Sequence, residues 1–172
     1  MSESPSLPDS GCPGCGEQFP AVVAPTHPYL DASPACWQQF GLLLAAQYSN
    51  AERMGFHQVV VDTYAAQHPG TLKDRRQVQS TGIHLITLCL FLDHGVDPVH
   101  GSKLHARMVN RPTFQGLKVP EQRGLLTVTS VPTSGPAVDA RNAAYAWAED
   151  VWRAWSEHHD AIRSWLQSAA LL

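Results

Sequence analysis

A run of mostly apolar side chains at helical spacing dominates the last third of the chain. The side chains that follow one another at intervals of three or four residues are those of Ala144, Trp147, Val151, Trp155, His158, Ile162 and Trp165. This spacing places them on one face of a helix, so the sequence predicts one long helix over residues 136–170. Because a long apolar helix face must be covered by other elements, the pattern favours a bundle of helices.

Capping signals predict four more helices upstream of this long one. These helices are expected to begin at Pro34, Asn50, Arg75 and Pro98 and to end near Tyr48, His68, His94 and Asn110, respectively. A Ser or an Asp directly precedes each start, where its side chain can accept a hydrogen bond from a free backbone amide. The third of these helices contains the stretch 83–92, which is apolar on nearly all sides and therefore suits the centre of a bundle.

The chain is accordingly predicted to be all-α, a bundle of about five helices with an irregular N-terminal CxxC knuckle and arm. Its length of 172 residues suits a single domain, which we place over residues 12–172. The predicted sections are a disordered tail over 1–11, the knuckle and arm over 12–33, helices over 34–110, an irregular loop over 111–135 and the long helix over 136–170. Within the loop, residues 125–131 also have the composition of a short strand.

Composition and charge exclude several classes of protein. Charged residues make up 16% of the chain and the net charge is −3, which argues against the basic surface of a nucleic-acid-binding protein. The apolar stretch 83–92 is much shorter than the roughly 20 residues that a membrane span needs. The first ten residues lack the apolar core of a signal peptide. We therefore expect a cytoplasmic protein that binds neither nucleic acid nor a membrane.

The spacing of Cys12 and Cys15, with glycines after each, predicts a metal-binding knuckle. A structural zinc ion needs four ligands, and the nearest candidates for the other two are His27 and Cys36. Cys36 falls in the first turn of a predicted helix, where the helix dipole favours a thiolate. The sequence therefore predicts zinc at these four residues, with a free surface knuckle and a redox-active dithiol as alternatives. Cys89 lies in the apolar stretch and is expected to be a core residue.

The nine histidines suggest a second site inside the bundle. His57, Asp62 and His68 lie on or beside one face of the second predicted helix, and His84 lies in the apolar stretch of the third. Together they are candidate catalytic residues that would bind a divalent metal or act as an acid–base pair on a small substrate of unknown identity. Their alternative role is that of buried core residues. A zinc site that mixes Cys12 and Cys15 with two of the helix histidines also stays open.

The remaining histidines and the tryptophans have predicted positions outside the two candidate sites or at their edge. His94, His100 and His105 are predicted to be surface or loop residues, and His158–His159 is a possible source of a third imidazole for the internal site. Four of the five tryptophans fall in the predicted long helix. They favour core packing, and a partner-binding surface or a homodimer interface is the alternative.

Two strings of residues resemble an uncharacterised family of bacterial proteins of unknown function. They are Cys-Pro-Gly-Cys-Gly over 12–16 and Tyr-Ala-Ala-Gln-His-Pro-Gly over 64–70, and the resemblance extends over about residues 12–166. It implies no activity. It does imply that one recurring pattern includes Cys12, Cys15, His27, Cys36, His57, Asp62, Gln67, His68 and His84.

A weaker similarity connects the predicted bundle with four-helix metalloenzymes related to the DinB and thiol-transferase group. Those proteins hold a metal with three histidines from separate helices. Here the similarity implies that His57, His84 and either His158 or His159 would take these places. The pair His158–His159 lacks the usual spacing of four residues, so the similarity serves as an analogy of fold only.

Overall fold

The computed structural model describes residues 10–109 and 114–169. The described part folds into seven α-helices: α1 (Pro34–Tyr48), α2 (Ala51–Met54), α3 (His57–Gln67), α4 (Arg75–Leu92), α5 (Gly101–Met108), α6 (Ala137–Ala154) and α7 (His159–Ser168). Short 3-10 turns lie at Pro98–His100, Val128–Ser130 and Ser156–His158. Two-residue strands, β1 (Ser10–Gly11) and β2 (Gln18–Phe19), pair antiparallel around the knuckle. The prediction of an all-α fold is confirmed.

Three of the predicted boundaries concern residues that the structure does not describe. The predicted tail over 1–11 lies outside the described residues up to residue 9, and its last two residues form β1. The predicted end of the fourth helix at Asn110 also lies outside them, and α5 ends at Met108. Residue 170, the predicted end of the last helix, is outside as well, and α7 ends at Ser168.

Two predicted helices are each divided in two. The second breaks between α2 and α3, and its N-cap is Asn50, whose side chain accepts hydrogen bonds from the amides of Glu52 and Arg53. The long C-terminal helix breaks after Ala154, where a 3-10 turn redirects the chain. Trp155 fixes this turn, because its buried indole N–H donates to the carbonyl of Ala66 at 3.1 Å. The break lets α6 pack against α3 while α7 packs against α4.

The core lies around α3 and α4, which pack against each other. The apolar stretch of α4 is buried almost completely, as its all-round hydrophobicity predicts. Trp147, Trp152 and Trp155 are also buried inside the chain, so these three rings are core residues and are not available to a partner. Among the described residues, no helix combines the length and the apolar character that crossing a membrane requires.

The described part of the long loop, residues 114–135, is irregular apart from one 3-10 turn at Val128–Ser130. No strand forms at 125–131. The carboxylate of Asp150 on α6 holds this segment by accepting hydrogen bonds from the backbone amides of Leu125 and Leu126, at 2.5 and 2.8 Å. The loop is thereby fixed against α6 without regular secondary structure.

Candidate metal centre

The N-terminal knuckle is a tight turn that brings Cys12 and Cys15 together. The amide of Gly16 donates to the carbonyl of Cys12 at 2.8 Å, and the amide of Cys12 donates to the carbonyl of Glu17 at 2.9 Å. Gly16 has a φ of 77°, a left-handed conformation that glycine adopts without steric cost. The side chain of Cys12 is buried and that of Cys15 is half-buried. The turn therefore presents both sulfurs to the interior.

Cys36 reaches the knuckle from the first turn of α1. The helix begins at Ser33, whose hydroxyl accepts a hydrogen bond from the Cys36 amide at 3.2 Å. The Cys36 Sγ lies 3.9 Å from the Cys15 Sγ and 3.4 Å from the His68 Nε2. One ligand atom from each of Cys12, Cys15, Cys36 and His68 lies within 4.8 Å of all the others, so the four side chains can hold a metal ion.

His68 stands at the C-terminal end of α3 with its ring orientation fixed. Its Nδ1 lies 2.8 Å from the carbonyl of Tyr64. A carbonyl can only accept, so Nδ1 carries the proton and Nε2 is left with a free electron pair facing the sulfurs. A Cβ at Gly14 would lie 2.1 Å from the His68 Cδ2, so the knuckle can approach the imidazole this closely only with glycine at that position.

Further groups surround the four side chains and direct hydrogen bonds at the sulfurs. The Tyr64 hydroxyl donates to the Cys36 Sγ at 3.4 Å, and the Ser33 amide donates to the Cys12 Sγ at 3.4 Å. Arg123 fixes the knuckle from outside, since its guanidinium donates to the carbonyls of Pro13 and Gly14 at 3.0 and 2.9 Å. Such outer contacts hold metal ligands in position.

The thiols influence one another strongly. Hydrogen bonds from the Cys15 and Cys36 thiols lower the pKa of Cys12 well below its ordinary value, although burial acts in the opposite direction. The same contact with Cys12 raises the pKa of Cys15 to about 11, and contacts with Cys12 and Cys15 raise the pKa of Cys36. Three adjacent thiolates require a cation, because like charges this close oppose further ionisation.

The structure brings together three of the four residues predicted to bind zinc, and it places the fourth elsewhere. Cys12, Cys15 and Cys36 meet, whereas His27 lies outside the cluster and His68 occupies the fourth position. The His27 Nδ1 accepts a hydrogen bond from the Tyr29 amide at 3.2 Å, and its ring packs against that of Trp37. The sequence suggests His27 because it is near the knuckle along the chain. The end of α3 lies against the arm, and this packing places His68 in the cluster.

The four residues predicted as an internal catalytic site lie in three separate places. His57 contacts the Gln47 side chain, with 2.8 Å between its Nδ1 and the Gln47 Oε1, and His68 lies with the cysteines. Asp62 and His84 do meet, with 2.6 Å between the Asp62 Oδ1 and the His84 Nδ1. The internal site as predicted from the sequence is therefore not assembled, and only this pair remains of it.

The histidines near the C-terminus do not join this pair. His158 Nε2 lies 2.8 Å from the carbonyl of Lys118, and His159 Nε2 lies 3.0 Å from the carbonyl of Trp152. The His159 ring also stacks on the Trp152 ring, with centroids 3.9 Å apart. The arrangement of three histidines that the similarity to metalloenzyme bundles implies is not formed by these residues.

His105, which the sequence placed at the surface, contacts Asp62 with 2.9 Å between Nε2 and Oδ1. Burial acts to raise the pKa of Asp62, but the hydrogen bonds from His105 and His84 outweigh it and hold the pKa below its ordinary value. The sequence does indicate that His105 faces inward. Residues 101, 104, 105 and 108 have the spacing of one helix face, and Gly101, Leu104 and Met108 are buried in α5.

His57 provides a prediction about pH. Burial lowers its pKa below the ordinary value of 6.5, and the charge of Asp62 offsets only part of that effect. Because the folded state then binds the proton more weakly than the unfolded state, stability is unaffected above pH 6.5 and falls as the pH drops toward the folded-state pKa. An NMR titration of the His57 imidazole should give a pKa below that of an unfolded peptide of the same local sequence. An equal or higher value would contradict the burial seen in the structure.

The string Tyr-Ala-Ala-Gln-His-Pro-Gly has a structural explanation. Tyr64 and His68 belong to the cysteine cluster, as described above. The buried side chain of Gln67 donates to the carbonyls of Arg123 and Leu126, at 3.0 and 2.8 Å, and accepts from the Trp147 indole at 3.0 Å. The backbone directly after α3 contacts the arm, since Pro69 forms a β-bridge with Leu30. The string thus joins the arm, the loop and α6 to α3.

The chain belongs to a family described as a family of unknown function (DUF5946), whose family model matches residues 10–156. The predicted membership in a family of unknown function is confirmed. No curated protein and no solved structure matches the chain. The matched range contains the four-residue cysteine–histidine cluster and the Asp62–His84–His105 cluster, and it ends before α7 begins.

Proposed function

We propose that this member of the family binds one zinc ion through Cys12, Cys15, Cys36 and His68, and that the ion has a structural role. The observation that carries the proposal is the meeting of these four ligand atoms within 4.8 Å of one another. They come from the knuckle, the start of α1 and the end of α3, which are well separated along the chain. Four soft or borderline ligands converging from distant segments are typical of a structural zinc site.

The ligand chemistry supports zinc in particular. Three cysteine sulfurs and one imidazole nitrogen are one of the sets with which zinc forms closed tetrahedral sites. The Nδ1 of His68 is held by the Tyr64 carbonyl, which leaves Nε2 as the ligand atom. The donors to sulfur from Tyr64 and Ser33 offset part of the negative charge that three thiolates would place on the site.

A structural role is supported by how deeply the ligands are buried. Cys12, Cys36 and His68 are 2%, 0% and 0% exposed, so a substrate has little access to them. Four protein ligands also fill the coordination sphere of tetrahedral zinc, whereas a catalytic zinc keeps one position open. Thiolate ligands persist in a reducing compartment, which supports a cytoplasmic location.

The ion would fasten the N-terminal arm to the helices. Residues 20–33 contain no helix or strand beyond the single bridge between Leu30 and Pro69. This bridge includes the hydrogen bond from the Asp31 amide to the carbonyl of the ligand His68, at 3.0 Å. Metal binding would add to the order that this segment gains from packing Val22, Leu30 and Ala32 against the core, because the binding free energy contributes directly to folding.

Zinc content in matched variants tests the proposal. We expect the zinc content of purified Cys36→Ser and His68→Ala proteins to fall by about one equivalent per chain relative to the wild type. Cys89→Ser and His27→Ala are the matched controls, since Cys89 is buried in α4 away from the cluster and His27 lies outside it. Their zinc content should equal that of the wild type. Equal zinc in Cys36→Ser and wild-type protein would refute the proposal.

A further inference from the structure

We infer that Asp62, His84 and His105 form a second metal site, open to a cavity, that holds a divalent transition-metal ion and receives a small anionic ligand. The three side chains have ligand atoms within 4.8 Å of one another. They come from α3, α4 and α5, so the packing of three helices creates the cluster. This site uses nitrogen and oxygen atoms only, unlike the cysteine cluster at the end of α3.

The side chain of Asp62 is completely buried and, within the described part of the chain, lacks one hydrogen-bond partner. Its Oδ1 lies 2.6 Å from the His84 Nδ1 and 2.9 Å from the His105 Nε2, and it accepts from the Gln58 amide at 3.1 Å. Its Oδ2, in contrast, has no hydrogen-bond partner among the residues that the structure describes. A buried carboxylate oxygen without a partner is costly, and a bound cation would remove that cost.

The three side chains already converge on one point. The Asp62 Oδ1 lies at hydrogen-bond distances of 2.6 and 2.9 Å from the two imidazole nitrogens. Two atoms that each lie about 2.1 Å from one metal ion are roughly 3.0–3.4 Å apart, so an ion would need these atoms to separate by up to about 0.8 Å. The rings of His84 and His105 meet at 71° with centroids 4.9 Å apart, so they approach the carboxylate from different directions. Two histidines and one carboxylate are a known ligand set for divalent transition metals with open coordination positions.

This cluster faces open space on one side. The side chains of His84 and His105 are 16% and 22% exposed, whereas that of Asp62 is 0% exposed. Both imidazoles line a cavity of about 690 Å³, which is within the usual size range for small-molecule sites. An ion held by three protein ligands at the inner end of this cavity would have coordination positions left for a ligand.

The rest of the cavity wall indicates the charge of that ligand. Arg75 and Arg76, at the start of α4, line it together with polar side chains that include Tyr29 and Ser80. Within the described ranges, neither arginine side chain forms an ion pair with a carboxylate. Guanidinium groups recognise carboxylate and phosphate oxygens, and such oxygens also bind metal ions. The cavity therefore fits a small molecule with a carboxylate or phosphate group.

Cobalt(II) distinguishes this site from the cysteine cluster. In protein that carries only one zinc ion per chain, we expect a titration with cobalt to show about one further equivalent bound, with weak d–d bands and without the intense thiolate-to-cobalt band of a cysteine site. His84→Ala and His105→Ala should weaken this cobalt binding by at least about tenfold. His100→Ala is the matched control, since His100 is an exposed histidine five residues before His105. Circular dichroism and retained zinc show that each variant is folded.

The result that overturns the second site is protein with one zinc ion per chain that takes up no cobalt, or uptake that is equal in wild-type and His105→Ala protein. Inorganic phosphate and acetate then probe the ligand. If either anion changes the cobalt d–d bands, we expect its apparent affinity to be at least about tenfold lower in the Arg75→Gln/Arg76→Gln double variant. That result supports the anionic ligand and identifies its group. No response to either anion would overturn that part. Because the thiolate band reports only on the cysteine cluster, failure at one site is distinguishable from failure at the other.

Discussion

Removing zinc should release the knuckle and arm, residues 12–33, while most of the helical core stays folded. The arm depends on the knuckle and its metal, whereas the helices share a buried apolar core that includes Tyr64, Trp147 and Trp155. We expect the free energy of unfolding to fall by about 4 kcal/mol or more, the contribution of a ligand present at about a thousandfold excess over its Kd. Hydrogen exchange should become much faster for amides of residues 12–33, and far-UV circular dichroism should change little.

Control experiments test whether the change in the arm depends on zinc bound at the four-residue cluster. Returning zinc to the metal-free wild type should restore slow exchange in the arm, and the same addition should have no effect on Cys36→Ser. Cys89→Ser should behave as the wild type at every step, because its thiol lies outside the cluster. Unchanged exchange in the arm after complete removal of zinc would show that the arm is held by other contacts.

Gln67→Leu should be among the most destabilising single substitutions, at about 4 kcal/mol. The variant keeps a side chain of similar size but removes three hydrogen bonds, to the carbonyls of Arg123 and Leu126 and from the indole of Trp147. Each group left buried without a partner costs about 1–3 kcal/mol. Urea unfolding monitored by tryptophan fluorescence measures the change.

Gln38→Leu is the control for this substitution. It makes the same change of side chain, at a position that is exposed on α1. It should alter the free energy of unfolding by less than about 0.5 kcal/mol. Gln67→Glu should cost at least as much as Gln67→Leu, because it would place a buried carboxylate oxygen against the carbonyls of Arg123 and Leu126. A loss below about 1 kcal/mol in Gln67→Leu would contradict the bridging role of this side chain.

The positions of the helices could be predicted because their signals are local. Ser33, Asp74 and Asp97 each accept a hydrogen bond from a backbone amide within their own first turn, as the capping patterns indicate. The break after Ala154 could not be predicted in this way. The apolar spacing continues through it to Trp165, and the break depends on the bond between the Trp155 indole and a backbone carbonyl on α3. That contact is a property of tertiary packing.

The residues of the candidate site also differ in whether a local sequence signal identifies them. Cys12 and Cys15 are recognisable from a short motif, and Cys36 from its place in the first turn of a helix. His68 is 32 residues from Cys36 along the chain, so only the packing of α3 against the arm shows that it is the fourth member. His105 likewise depends on how α5 packs beside α3 and α4. Periodicity indicates which residues face inward, and the fold decides which of them meet.

One helix connects the two clusters. Asp62 lies in the middle of α3 and His68 at its end, so both candidate sites share this element. The arm connects them a second time, since Tyr29 lines the cavity of the second cluster and Asp31 bonds to the His68 carbonyl. A structural zinc ion would thereby stabilise one wall of the cavity that we assign to an anionic ligand.

X-ray absorption at the zinc edge tests the central claim most directly. In purified wild-type protein carrying one zinc ion per chain, the account predicts three sulfur neighbours at about 2.3 Å and one nitrogen neighbour at about 2.0 Å. The His27→Ala protein should give the same spectrum, because His27 lies outside the cluster. A zinc ion surrounded by nitrogen and oxygen atoms alone, or one whose environment changes in His27→Ala, would contradict it.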